Sequence, residues 1–194
     1  MEAAVDLRTR SRAGPTDATL VEAAQAGESW AQEVLFRRYL KMANGLAVRL
    51  LGDREEARDL VQDAFYKALT ELGSLQQPSA FSSWLGTIVV RAAYKRLRRR
   101  KLLQRLGLRP RDAVDLDEEV FTANAPPEAV EQLRQVYRSL GRLDATTRVA
   151  FILHVIEGQT IRETADSLGV SITTVKRRVA VAKQALERLR AEGA

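Results

Sequence analysis

The segment TIRETADSLGVSITTVKRRVAVAKQAL, residues 160–186, constrains this chain more than any other. It has the grammar of two short helices joined by a tight turn, a helix-turn-helix. Ala165 is small enough to let the two helices approach closely. Gly169 stands at the turn, where a positive φ is needed. Leu168, Val170, Val175, Val179 and Ala182 supply the apolar contacts, and Ser171 is a natural N-cap for the second helix. That geometry leaves Ser171, Thr173, Thr174, Lys176, Arg177 and Arg178 on the exposed N-terminal half of the second helix, the part such a helix presents to the major groove. Lys183, Arg188 and Arg190 extend the positive face. The plainer alternative is a helical hairpin with a solvated charged surface. Turn glycine, small residue, cap and basic face occurring together favour duplex DNA.

The rest of the chain is also helical in pattern, so the fold class is all-α. The prolines at 15, 78, 110, 126 and 127 fall where the periodicity breaks. A first helix is expected from about Asp17 to Ala26, with Thr16 or Asp17 as N-cap. A second runs from about Ser29 to Leu51, with Trp30, Val34, Tyr39, Ala43, Leu46 and Leu50 at helical spacing and Gly52 as its stop. The third opens on the capping-box pair Asp53 and Glu56 and carries a continuous apolar stripe through Ala57, Leu60, Val61, Ala64, Phe65, Ala68, Leu69 and Leu72. A fourth begins near Ser79 and buries Phe81, Trp84, Leu85, Ile88 and Ala92. Four more follow beyond residue 127, at about 128–140, 144–157, 161–168 and 171–190.

Charge divides the chain. Ile88 to Arg105 holds eight basic residues and no acidic one, and Asp112 to Glu119 holds five acidic residues and no basic one. A segment so charged and so poor in apolar residues does not pack as a domain. The expected organisation is a flexible N-terminal tail (1–15), a helical domain (16–103), an acidic flexible linker (104–126) and a second helical domain (127–194) containing the helix-turn-helix. The overall balance is 31 Lys plus Arg against 25 Asp plus Glu, a net +6, which points to an anionic partner. In the fourth helix Arg91, Tyr94, Lys95 and Arg98 share one face by spacing, suited to phosphate contacts with Tyr94 stacking on an unpaired base. The linker's carboxylates either mimic nucleic acid in a basic channel or form a plain spacer; composition leaves both open.

The chain has no Cys and one His, so disulfides, thiol catalysis and Cys-type zinc sites are excluded. His154 lies in an apolar helix and reads as a core or boundary residue. There is no glycine-rich phosphate loop and no metal-ligand motif, so a non-enzyme without cofactor or metal is expected. The longest apolar stretch, Val149 to Ile156, is broken by His154 and too short to span a bilayer. No secretory signal opens the sequence. A cytoplasmic protein without membrane insertion is the expectation.

Taken in order, these segments resemble the small extracytoplasmic-function (ECF) sigma factors of the sigma-70 family, across nearly the whole chain. AQAGESWAQEVLFRRY resembles the start of region 2, GDREEARDLVQDAFYKAL the segment that binds the polymerase clamp, and FSSWLGTIVVRAAYKRLRRR the segment that opens and reads the −10 element. LDATTRVAFILHVIEGQTIRETADSLGVSITTVKRRVAVAKQAL resembles region 4, which reads the −35 element. The resemblance implies that Asp59, Gln62, Asp63 and Tyr66, outside the buried stripe, dock on the clamp helices of the largest subunit of core RNA polymerase. It implies that Gln76, Gln77 and Ser79, in the loop before the fourth helix, capture a flipped promoter base beside Arg91, Tyr94, Lys95 and Arg98. Trp84 matches a family Trp but sits at a core position. The sequence departs from the pattern at Arg91 (usually Asn), Lys95 (usually Asp) and Thr164 (usually Ile). The basic pair implies an unusual −10 preference or greater reliance on backbone contacts.

The implied function is promoter recognition, DNA melting and transcription initiation with core polymerase, with promoter DNA and an anti-sigma factor as further partners. Two other readings use the same residues. A helix-turn-helix regulator acting without polymerase leaves the DLVQDAF segment without a purpose. A sigma-like decoy that sequesters a regulator has no need of two basic faces.

Overall fold

The computed structural model describes residues 14–107 and 126–192. The expected N-terminal tail up to residue 13 and most of the expected linker, including its acidic run, lie outside the described residues. Every regular element among the described residues is helical.

Four helices make the first half: α1 (Asp17–Gln25), α2 (Ser29–Leu51), α3 (Arg54–Thr70) and α4 (Phe81–Arg105). Each starts and stops for a local reason. The Thr16 hydroxyl accepts from the Thr19 N–H at 3.2 Å and caps α1. Gly52, at φ 75°, closes α2, and its N–H reaches Val48 O at 2.7 Å. The Asp53 carboxylate accepts from the Glu56 N–H at 2.9 Å and opens α3. Two single 3-10 turns, Leu72–Ser74 and Pro78–Ala80, form the connection to α4, so α4 itself starts at Phe81. Pro78 suits that first-turn position because its missing N–H has no acceptor there.

The α3 stripe packs inward as its spacing predicts: Ala57, Leu60, Val61, Ala64, Phe65 and Ala68 are buried. They meet Leu35, Leu46 and Leu50 of α2 and Phe81, Leu85 and Val89 of α4 in one core. Truncating a fully buried leucine such as Leu60 to alanine costs about 2–5 kcal/mol in a core of this kind. On α2 the buried stripe begins at Ala31 and Leu35. Trp30 is one position off it and is 48% exposed, against the expectation from spacing. Trp84 is partly buried and packs against Phe81, with ring centroids 6.1 Å apart.

The second half comprises α5 (Pro127–Gly141), α6 (Ala145–Phe151), α7 (Ile161–Leu168) and α8 (Ile172–Glu192). Asp144 caps α6 through the Thr147 N–H at 3.3 Å. The helix expected to run on to residue 157 widens after Phe151 into a π-type turn, Ile152–Ile156, and ends before Gly158 at φ 72°. His154 sits at the boundary there, its Nδ1 2.7 Å from Gln159 O.

The two halves touch. α4 packs against both α6 and α7, and the buried cluster runs from one half into the other.

Candidate nucleic-acid interface

Two short helices and a turn build the C-terminal surface. Thr160 and Glu163 form a complete capping box on α7: the Glu163 N–H donates to Thr160 Oγ1 at 3.2 Å, and the Thr160 N–H to Glu163 Oε2 at 2.7 Å. Those hydrogen bonds to Thr160 hold the exposed Glu163 carboxyl below its ordinary pKa. Gly169 adopts φ 61°, ψ 41°, the left-handed conformation the turn demands, and Val170 N–H reaches back to Ala165 O at 3.1 Å. The Ser171 hydroxyl then caps α8 by accepting from the Thr174 N–H at 3.2 Å. Ala165, Leu168, Val175, Val179 and Ala182 are buried between the helices. This leaves Ser171, Thr173, Lys176 and Arg177 exposed at the start of α8, with Thr174 and Arg178 partly covered.

On the first half, α4 exposes Arg91, Lys95 and Arg98. Gln76, Gln77 and Ser79 are exposed in the loop that leads into it. Gln25 of α1 holds that loop, donating through Nε2 to Leu72 O at 2.9 Å and Leu75 O at 3.3 Å. Its spacing gives no signal of this role, because the contact joins residues distant in sequence.

The outer face of α3 forms a third surface. Asp59, Gln62, Asp63 and Tyr66 all point outward, and Tyr66 is 77% exposed. Asp63 is tied sideways to α4: Arg96 Nη2 lies 2.5 Å from Asp63 Oδ2, and Arg96 Nη1 donates to Glu56 O at 3.0 Å.

The two basic surfaces face each other, and Tyr94 lies between them. It is 6% exposed, so in this arrangement its ring is closed to an unpaired base, unlike the stacking its spacing predicts. Arg178 Nη1 donates to Tyr94 Oη at 3.1 Å, and its guanidinium lies 5.8 Å from the ring centroid. The Arg98 guanidinium lies 5.9 Å from the same centroid. Such cation–π contacts add about 0.5–2 kcal/mol each, depending on desolvation. Arg91 Nη2 donates to Asp166 O at 3.3 Å. Two ion pairs also cross between the halves, Lys101 with Asp144 and Arg49 with Glu157, both at 2.6 Å. Burial opposes the charge on Asp144, yet the hydrogen bonds from Lys101 and Thr146, the Lys101 charge and the Thr147 N–H together lower its pKa.

The same contact buries a charge without a hydrogen bond. Arg148 of α6 is 0% exposed, and none of its three side-chain nitrogens has a hydrogen-bond partner. Burial, and the nearby Arg100 charge of α4, push its pKa down to about 10. Among the described residues no group of three or more His, Asp or Glu is placed to hold a metal ion, and no helix is long and apolar enough to cross a membrane.

Comparison with known proteins places this geometry. Residues 35–103 match the family model of Sigma-70 region 2, and residues 133–186 match that of Sigma-70, region 4. The chain is 37% identical over 174 residues to the ECF RNA polymerase sigma factor SigM of Mycobacterium tuberculosis, covering 90% of this chain and 84% of that protein. It is 30% identical over 184 residues to the RNA polymerase sigma-H factor of Pseudomonas aeruginosa, covering 89% and 92% respectively. Among solved structures it is similar to CnrH in complex with the cytosolic domain of CnrY, with TM-score 0.58 and 25% identity over 92% of this chain and 99% of that one. It is also similar to the sigma factor RpoE in complex with the anti-sigma factor NepR from Bartonella quintana, with TM-score 0.60 and 25% identity over 82% and 96% of the two chains.

Proposed function

This chain belongs to the extracytoplasmic-function sigma factors of the sigma-70 family, and from that premise we propose how its three surfaces divide the work of carrying RNA polymerase to a promoter. Residues 16–103 act as region 2 and residues 127–194 as region 4. The outer face of α3, through Asp59, Gln62, Asp63 and Tyr66, docks on the clamp helices of core polymerase. Ser171, Thr173, Thr174, Lys176, Arg177 and Arg178 of α8 read the −35 duplex, with backbone contacts supplying most of the affinity and side chains the choice of bases. Gln76, Gln77 and Ser79 hold a flipped base of the −10 element, while Arg91, Lys95 and Arg98 hold the backbone of the melted strand. The chain contributes no catalytic group, and nucleotide addition belongs to the polymerase. It works in the cytoplasm.

The observation that carries this division is the contact between Tyr94 and Arg178. Each belongs to one of the two DNA surfaces, and neither is free while they touch. Any use of Tyr94 and Arg178 on DNA therefore requires α4 and α8 to part, whereas Asp59, Gln62 and Tyr66 of α3 already stand exposed in the closed form. An anti-sigma partner, of the kind that NepR is in the RpoE structure, would act by keeping the surfaces unavailable.

The test is co-elution of the chain with purified core polymerase, followed by promoter-dependent transcription. The wild type is expected to co-elute and to start transcripts at a defined site. Gln62→Ala and Asp63→Arg are expected to weaken co-elution in step with transcription. DNA binding without any polymerase binding would reverse the reading in favour of a stand-alone regulator.

A further inference from the structure

Closing the two halves creates a cleft that neither half has alone. It has a volume of about 850 Å³ and runs between the basic face of α4 and the turn joining α7 to α8, with Arg178 closing one side. That size falls within the range of small-molecule sites. Its chemistry is one-sided: no residue lining it is acidic. Lys101 and Arg91 are engaged with Asp144 and Asp166, and Arg178 with Tyr94. Lys95, Arg99 and Arg105 line the cleft and make no polar contact among the described residues. The excess continues into the α4–α6 contact, where Arg148 is fully buried without a hydrogen bond, its charge opposed by burial and by Arg100 and favoured only by Asp144. Like charges brought together and partly desolvated oppose closure, and a multivalent anion between them removes that opposition. Leu102, Leu168 and Val170 give the cleft an apolar wall beside the cations.

We propose that this cleft binds a condensed phosphate, either free or carried on a nucleoside, and that the bound anion holds the chain closed. Spaced cations on two walls suit a chain of phosphate groups better than a single anion, because each phosphate meets a separate donor set. The ligand uses α4 cations and Arg178, so its binding and promoter binding exclude each other. The free chain, without polymerase or DNA, suffices to test it, so the result is independent of the functional reading above.

The test is calorimetric titration of the full chain, at moderate salt, with sodium tripolyphosphate, ATP and sulfate. Tripolyphosphate or ATP is expected to bind one per chain, and sulfate far more weakly. Lys95→Gln with Arg99→Gln on one wall, and Arg178→Gln on the other, are each expected to weaken binding about tenfold, the loss that follows removal of one or two charge-assisted hydrogen bonds. Lys41→Gln with Arg162→Gln, exposed cations outside the cleft, removes the same charge as the first pair and is expected to leave binding unchanged. ATP binding tighter than tripolyphosphate identifies a nucleoside-borne ligand, and equal binding a free polyphosphate; both uphold the site. Absence of binding, equal binding of sulfate, indifference to Arg178→Gln, or equal weakening by the outside pair would each overturn it.

Discussion

The outer face of α3 and the facing sides of α4 and α8 are all polar surfaces, yet the fold treats them differently. Asp59, Gln62 and Tyr66 stand open to solvent and make no side-chain polar contact among the described residues. Tyr94, Arg91 and Arg178 are spent on each other's halves. The difference implies an order of events. A surface that is already open can dock without a conformational cost, whereas one that is masked binds with an affinity reduced by the fraction of chains that are open. On the proposed division of surfaces, polymerase engagement through α3 would precede DNA engagement through α4 and α8 and would be the step that shifts the equilibrium between closed and open forms.

The largest break in this comparison comes from the open surface. Asp63→Arg places a cation beside Arg96 and reverses the charge offered to the polymerase, with an expected loss of about 3 kcal/mol in core affinity, roughly a hundredfold. Titration of labelled chain against core polymerase measures it, and Gln62→Ala should lose less. The next effect lies on α8. Arg177→Ala is expected to cost about 1–3 kcal/mol in binding to a promoter duplex and to flatten the salt dependence, read by titrations at several salt concentrations.

A smaller change separates masking from mere proximity. Tyr94→Phe keeps the ring but removes the acceptor for Arg178, a bond worth about 1 kcal/mol. Free chain carrying it should bind DNA more tightly than wild type, the opposite sign to Arg177→Ala, although both residues lie on the surfaces proposed to meet DNA. Equal or weaker DNA binding would mean that the closed contact masks nothing. The smallest effect is that of pH on the Lys101–Asp144 bridge. Asp144 is a carboxyl whose folded pKa is lowered, so its contribution to closure is complete above the ordinary carboxylate value and fades as pH falls through the lowered one. Asp144→Asn should remove that acid dependence from the α4–α6 contact, as followed by the fluorescence of a label beside it.

Local rules made most of the fold legible in the sequence. Gly52 and Gly169 have the positive φ their positions require, Thr16, Asp53 and Ser171 cap as expected, and the α3 stripe is buried at the predicted residues except Leu69, which is half-buried. Thr160-x-x-Glu163 carries its capping box in plain view as well, though it yields only local stability. What spacing could not convey is what covers a helix face from elsewhere in the chain. Tyr94 shares a face with Arg91, Lys95 and Arg98, and only the arrival of Arg178 from α8 buries it. Arg148 reads as an ordinary surface charge until α4 lies over it. Trp30 shows the converse: Ala43, Leu46 and Leu50 of the expected stripe are buried, but Trp30, about 100° round the helix from the buried Ala31, falls at the stripe's edge and stays half-exposed.

Because the chain has no cysteine, Glu22→Cys on α1 and Gln184→Cys on α8 would carry a unique pair of labels, both at exposed positions outside the three surfaces. The most direct test is the distance between those labels, by fluorescence transfer or pulsed electron resonance, in the free chain and after addition of core polymerase. A single narrow distance distribution is expected in the free chain, with a clear shift to a different distance on polymerase binding, before any DNA is added. An unchanged distance in a complex that goes on to transcribe from a promoter would contradict that expectation.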